Sequence, residues 1–119
     1  MAIEDVKPEE IPEAMKAALE SARAANGEVF VLTAPESGVT VICKRPGRAL
    51  YRKFREEQDG PPAKSAHRFE NLFNSCLVYP SPKDFDATLD RLPALGDSFG
   101  LALWDKIVGA ENVTTKRSG

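Results

Sequence analysis

Apolar residues recur at spacings of three and four along much of the chain, the pattern of helices that bury one face. The first such set predicts a helix over about residues 9–25 and comprises Ile11, Met15, Ala18, Leu19 and Ala22. Asn26 and Gly27 follow directly. Because this pair favours the left-handed backbone conformation, it is expected to end the helix.

The pattern then changes to that of β-strands. Two runs rich in β-branched residues, at 28–33 and 39–44, flank a five-residue loop that contains Pro35 and Gly38. Such an arrangement predicts a β-hairpin. A two-stranded hairpin is marginal in water on its own, so we expect helices to cover it.

Two helices are predicted after the hairpin. The first covers about residues 47–58 and ends before Gly60-Pro61-Pro62, since proline cannot continue the helical hydrogen bonds. The second is expected to end at Tyr79, because the residue before a proline avoids the α region. Its apolar stripe is the broadest of the chain and comprises Ala66, Phe69, Leu72, Phe73, Cys76 and Leu77.

Two more helices follow. Ser81 stands at an N-cap position, with Pro82 at the first helical position and Asp84 at the third, so a helix should begin here and end at Pro93. Pro93 opens the last helix, for which Gly109 is the expected cap. The apolar face of this helix comprises Leu95, Phe99, Ala102, Leu103 and Ile107.

These elements predict a mostly helical α+β fold, in which an N-terminal helix and a two-stranded β-hairpin are followed by a bundle of about four helices. No internal repeat or long linker divides the chain, so residues 1–109 are expected to form a single globular domain. Residues 110–119 have almost no apolar content, which predicts a flexible C-terminal tail.

Composition agrees with one ordinary globular domain. The chain has 119 residues, of which 42% are hydrophobic, and its net charge is only −2, which argues against general electrostatic binding to nucleic acid or to acidic membranes. No apolar run approaches the ~20 residues that span a bilayer. The first ten residues are acidic where a secretory signal would be basic and then apolar. We therefore expect a cytoplasmic protein, with Cys43 and Cys76 as buried, reduced thiols.

Residues for catalysis or metal binding are few. His67 is the single histidine, and a polar residue near a helix start is ordinary. Asp84, Asp86 and Asp90 could suggest a hard cation, but they lie at a helix N-terminus and on a solvent face, without a calcium-loop glycine. Neither a P-loop nor a GxGxxG sequence is present. The expectation is a non-enzymatic protein without metal or cofactor.

Residues 44–55 form an unusually basic segment, with six Lys or Arg residues among twelve. Such a segment can bind phosphates or, through its aromatics, stack on single-stranded bases. The acidic residues that follow weaken the positive electrostatic potential of this segment, which favours a solvated face or a protein-binding patch. A small nucleic-acid-binding regulator remains the alternative. The candidate partner-binding residues in this segment are Arg45, Arg48, Tyr51 and Arg52.

The last predicted helix contains a second candidate surface. Gly96 and Gly100 are four residues apart, and each costs about 1 kcal/mol relative to alanine inside a helix. Their presence suggests that another element approaches this face closely, with Trp104 one turn further along. We predict that a partner helix or a second copy of the chain docks here.

Three stretches resemble the tail assembly chaperones of long-tailed bacteriophages, over about residues 28–109. The first is Lys-Arg-Pro-Gly-Arg-Ala-x-Tyr-Arg-x-Phe at 44–54, directly after a predicted strand. The second is Asn-Ser-Cys-Leu-Val-Tyr-Pro at 74–80. The third runs from Phe85 to Leu95, with Leu-Pro-Ala-Leu-Gly-Asp-Ser-Phe-Gly near its end.

The resemblance implies a non-enzymatic protein of the host cytoplasm that keeps the long, hydrophobic tape measure protein soluble while tail tube subunits polymerise around it. It names the tape measure protein as partner, with the tail tube protein as a further possibility. The several apolar helix faces add a homo-oligomer as another possibility. Members of the family are often made in a short form and in a longer, frameshifted form. This sequence corresponds at most to the short form.

Overall fold

The computed structural model describes residues 3–7 and 10–111, with the side chains of residues 109–111 excepted. In chain order the elements are β1 (Glu4–Asp5), α1 (Glu13–Asn26), β2 (Val29–Ala34), β3 (Val39–Lys44), α2 (Arg48–Gln58), α3 (Pro62–Ser65), α4 (Arg68–Cys76), β4 (Leu77–Tyr79), α5 (Pro82–Arg91) and α6 (Leu95–Glu111). No helix of the described part is both long and apolar enough to cross a bilayer.

The strands form one antiparallel sheet in the order β1-β2-β3-β4. β2 and β3 pair along their full length, and the hydroxyl of Thr40 donates to that of Thr33 across the pair, at 2.9 Å. Gly38 closes the loop between them with φ of 76°, a conformation that side chains with a Cβ rarely adopt. The hairpin predicted from the sequence is therefore the centre of the sheet.

Helices cover both faces of the sheet. On one face, α1 buries Met15 and Leu19 against Val31 and Ile42. On the other face, the residues that alternate with these, such as Leu32, join a larger core with helices α2, α4, α5 and α6. Period-two alternation along β2 thus divides its apolar side chains between two cores. The remaining members of the larger core are Ala34, Val41, Cys43, Phe54, Leu72, Phe73, Cys76, Leu77, Phe85, Leu95, Phe99 and Leu103.

The predicted fold class was wrong. A four-stranded antiparallel sheet with helices on both faces replaces the two-stranded hairpin followed by a helical bundle. Leu77–Tyr79, assigned to the end of a helix, forms β4, in which Tyr79 pairs with Ile42 and Leu77 with Cys43 of β3. Three apolar residues are too few to show the period of a strand. Because they directly follow a helix, the sequence pattern assigned them to the helical apolar stripe.

Several helix boundaries also differ from the prediction. The helix expected after the double proline is divided into α3 and α4, with His67 at the junction. Residue 9, where the first helix was expected to begin, lies outside the described residues, and α1 begins only after Pro12. The last helix does not end at Gly109, since α6 continues to Glu111. The predicted tail at 110–119 therefore begins inside a helix, and residues 112–119 lie outside the described part of the chain.

Other local predictions are confirmed. Ser81 caps α5, and its hydroxyl oxygen accepts a hydrogen bond from the backbone N–H of Asp84 at 3.2 Å. Gly27 ends α1 with φ of 76°, while its N–H donates to the carbonyl of Arg23. Cys43 and Cys76 are both buried and free, the first in a strand and the second in a helix.

Candidate functional site

Two aromatic rings from different helices stack at the surface. The ring centroids of Tyr51 on α2 and Trp104 on α6 are 5.5 Å apart, with 15° between the planes. Trp104 also stacks on the buried ring of Phe54, at 4.2 Å. Tyr51 and Trp104 themselves are half-buried. The rings of Phe54, Trp104 and Tyr51 therefore stack one on another, from the buried core to the surface.

Helices α2 and α6 meet at this stack. Both Tyr51 and Phe54 of α2 place their rings against Trp104 of α6. On the core side, α4 covers both helices, because the Phe69 ring packs on Phe54 and the Phe69 backbone lies against Gly100.

The opposite side of the α2/α6 pair is open. In a helix, residues i−3 and i+4 lie within about 60° of residue i on one side, and residues i+3 and i−4 lie on the other side. For Tyr51 the buried side is that of Phe54, and for Trp104 it is that of Ile107. Because α4 packs on Phe54 of α2 and on Gly100 of α6, the sides that remain on both helices point away from α4 and form one outward face.

The residues of this outward face are exposed. Around Trp104 they are Leu101 and Val108, with 47% and 42% of their surface accessible, two of the large hydrophobic residues that the described chain exposes. Around Tyr51 they are Arg48 and Arg55. We define the α2–α6 face as Arg48, Tyr51, Arg52 and Arg55 of α2 with Leu101, Trp104 and Val108 of α6. Near the start of α2 it borders an open depression of about 250 Å³.

The charges on this face are sorted by helix. Arg48 and Arg52 are exposed, and neither makes an ion pair with a carboxylate of the described side chains. The Nη1 of Arg55 donates to the hydroxyl oxygen of Tyr51 at 3.3 Å. Next to Leu101 and Trp104, α6 exposes Asp97 and Asp105 instead. The face therefore has a cationic edge along α2 and an anionic edge along α6.

Among the candidate residues of the basic segment, the structure brings Arg48, Tyr51 and Arg52 together with Trp104. Arg45 is placed elsewhere, since its Nη1 lies 3.7 Å from a carboxylate oxygen of Glu28, beside the start of β2. This side chain is part of the end of the sheet rather than of the α2–α6 face.

Gly96 and Gly100 are buried and face α4 of the same chain. A Cβ on Gly100 would overlap the carbonyl oxygen of Phe69, and one on Gly96 would lie 3.1 Å from Cγ of Glu70. The close approach indicated by the two glycines is therefore made within the chain. In this fold they do not offer an open surface to a partner.

Sequence reasoning missed Leu101 and Val108 as surface residues. Both are large and apolar, and both fall outside the set Leu95, Phe99, Ala102, Leu103 and Ile107 that was expected to face the core. Their position three before and four after Trp104 was the available signal. It was weak, because α6 is apolar on most of its circumference.

His67 and the aspartates form no compact site in the structure. His67 is exposed, and its Nδ1 lies 3.8 Å from a carboxylate oxygen of Glu70. It borders an open depression of about 370 Å³ that Lys53, Glu57 and Lys64 also line, so charges of both signs meet there. In the described ranges, no group of three or more His, Cys, Asp or Glu residues is arranged to hold a metal ion.

The two thiols are held in their neutral form. Burial raises the pKa of Cys43 far above its usual range, and the proximity of Cys76 adds to the shift. Burial also raises the pKa of Cys76, to about 11, although Lys44 favours the thiolate. Because nucleophilic cysteines need the opposite shift, this environment is that of structural thiols.

No protein-family model matches the chain, and no curated protein matches its sequence. A solved structure with a similar fold is that of the uncharacterised protein rbstp2171 from Bacillus stearothermophilus. It superposes with a TM-score of 0.65 over 83% of this chain and 99% of that chain, with 20% of residues identical. A likeness at this level of identity shows a shared fold and gives no activity.

Proposed function

We propose that the protein is a non-enzymatic tail assembly chaperone of a long-tailed bacteriophage, acting in the host cytoplasm. Its partner is the tape measure protein, which it keeps soluble until tail tube subunits surround it. The proposal starts from the resemblance over residues 28–109. Within its first stretch, Arg48 and Arg52 are exposed and Tyr51 is half-buried, so core packing alone does not account for them.

The observation that carries the proposal is the α2–α6 face. It combines a stacked Tyr51–Trp104 pair with exposed Leu101 and Val108, beside arginines. Aromatic residues and arginine are the types most enriched at the centres of protein interfaces, where rigid apolar area and forked hydrogen-bond donors contribute much of the affinity. This composition supports protein binding as the task of the domain.

The same face suits a client that must later be released. A long helical chain with apolar stripes aggregates unless those stripes are covered, and a helix can lay its apolar side into a groove between two helices. Binding through a single small face buries a limited area, so the complex remains reversible. Reversibility is what assembly of the tail tube around the client requires.

A second candidate function, nucleic-acid binding, is favoured by Arg48 and Arg52, which have no carboxylate partner among the described side chains, next to the aromatic Tyr51. Arginines can hold a phosphate backbone while a partly exposed ring beside them stacks on a base. Salt separates the two functions. Affinity for nucleic acid falls steeply with salt because condensed counterions are released, whereas apolar association does not depend on that release.

Co-expression with the tape measure protein encoded in the same genome tests the proposal. We expect this chain to move the tape measure protein from the insoluble to the soluble fraction and to copurify with it at high salt. A tape measure protein that stays insoluble, together with single-stranded DNA binding that weakens steeply with salt, would contradict the chaperone and support the regulator.

A further inference from the structure

We infer that the α2–α6 face is a docking groove for one amphipathic helix whose apolar stripe is bordered by acidic residues on one edge. The identity of that helix as a tape measure segment rests on the proposed function. The groove and the chemistry of its occupant follow from the structure of this chain alone.

The shape of the face points to a helix as the occupant. The Tyr51–Trp104 stack lies between α2 and α6, with the exposed Leu101 and Val108 of α6 on one side of it and the exposed arginines of α2 on the other. Leu101 and Val108 stand seven residues apart on α6, which is about two helical turns. A partner helix with apolar residues at the same seven-residue interval can meet both, with Trp104 between them.

The charges on α2 point to an acidic edge. Arg48 is the first residue of α2, where the helix dipole disfavours a cation, and the first turn contains no acidic residue. Arg52 follows four positions later, so two like charges are neighbours on the helix surface. Both arrangements cost stability in the free protein. Carboxylates arriving along this edge would remove the repulsion.

The charges on α6 fix the direction of the contact across the groove. Asp97 and Asp105 are exposed on this side, so a partner with carboxylates on both edges would be repelled along α6. The favoured occupant is acidic toward α2 and neutral or basic toward α6. Charge therefore determines which way round the helix lies.

Two synthetic helices of about three heptads test the groove, with the same leucine stripe and the same lysine edge. One has glutamates along its other edge, and the second has lysines there. Trp104 is the single tryptophan of the chain, so its fluorescence reports occupancy directly. We expect the helix with the glutamate edge to change Trp104 emission in a saturable titration, and the all-lysine helix to bind at least tenfold more weakly.

Matched variants locate the site. Leu101→Ser with Val108→Ser should weaken binding of the glutamate-edged helix at least tenfold, whereas Tyr79→Ser, which removes another exposed hydrophobic residue, should not. Arg52→Glu should weaken it by a similar factor, and Lys53→Glu, an identical charge change at the next position of α2, should have little effect. Equal affinity in all four variants would overturn the groove.

Separate outcomes distinguish this inference from the proposed function. If the serine double variant keeps a coexpressed tape measure protein as soluble as the unaltered chain does, the groove is wrong and the chaperone stands. If the glutamate-edged helix binds at the face but no tape measure protein is kept soluble, the docking groove is supported and the proposed chaperone function is wrong. Dimerisation in sedimentation that the serine variant abolishes would make a second copy the occupant and overturn the inference.

Discussion

The backbone of Phe69 in α4 lies so close to Gly100 in α6 that a methyl group on Gly100 would sit 2.6 Å from the Phe69 carbonyl carbon. Backbone atoms cannot rotate away as a flexible side chain can. Helices α4 and α6 pack closely here because glycine occupies this position, and the ring of the same Phe69 packs on Phe54.

Gly100→Ala should therefore destabilise the protein by about 2 kcal/mol, the usual scale of overpacking, despite the better helix propensity of alanine. Gly96→Ala is the matched control, since the atoms it meets belong to the flexible side chain of Glu70. We expect it to change the free energy of unfolding by less than about 0.5 kcal/mol. Urea denaturation followed by circular dichroism measures both, and equal effects would contradict the role of the Phe69 backbone.

Gly96 and Gly100 also show which part of a helix contact can be predicted from the sequence. Their helix cost predicts that something approaches closely, and this is correct, but the identity of the neighbour is a tertiary property. The sequence favoured an external partner, whereas α4 of the same chain fills the position. The two glycines predicted a close contact between helices, but they did not show which helix makes it.

Strand β4 and the Ser81 cap show the same difference between features that depend on neighbouring residues and features that depend on tertiary contacts. The cap depends on residues three apart in the chain, and it was predicted correctly. Leu77–Tyr79 becomes a strand because β3 offers an edge about 35 positions earlier, and no local period records that pairing. The α2–α6 face was found in part, since its arginines and aromatics were visible in the sequence while the exposure of Leu101 and Val108 was not.

The Ser81 cap gives a second prediction. Ser81→Ala removes the oxygen that accepts the Asp84 N–H and should cost about 1 kcal/mol of stability, whereas Ser81→Asp preserves an acceptor and should leave stability nearly unchanged. Thermal unfolding of the three proteins under identical conditions measures this. An alanine variant as stable as the aspartate variant would show that the cap contributes little.

The buried thiols give a pH dependence. Cys43 and Cys76 titrate at a higher pH in the folded protein than in the unfolded chain, so the folded state binds more protons above the ordinary thiol pKa. Stability is therefore full below that pKa and declines as pH rises toward 11, by about 1 kcal/mol per thiol at one pH unit above it.

Urea unfolding at pH 8 and pH 10 measures the decline. The double variant Cys43→Ala with Cys76→Ala should be less stable at both values because of lost packing, but its stability should fall less between them. A disulfide-exchange reagent should label neither thiol of the native protein at pH 8 and both after unfolding. Rapid labelling of the native protein would contradict the burial of the thiols.

The Tyr51–Trp104 stack gives the last prediction. Tyr51→Ala removes a half-buried ring that covers one face of the indole, so we expect Trp104 emission to shift to longer wavelength and stability to fall by about 1 kcal/mol. Phe54→Ala should cost more, about 3 kcal/mol, because Phe54 is 2% exposed and its loss opens a cavity in the core.

Tyr51→Phe is the matched control for this stack. It keeps the ring and removes only the hydroxyl that accepts from Arg55, an exposed hydrogen bond that contributes little. Emission and stability should stay close to those of the unaltered protein. If Tyr51→Ala left the emission of Trp104 unchanged while remaining folded, the indole would not be stacked on Tyr51. The centre of the α2–α6 face would then contain only the contact between Trp104 and Phe54.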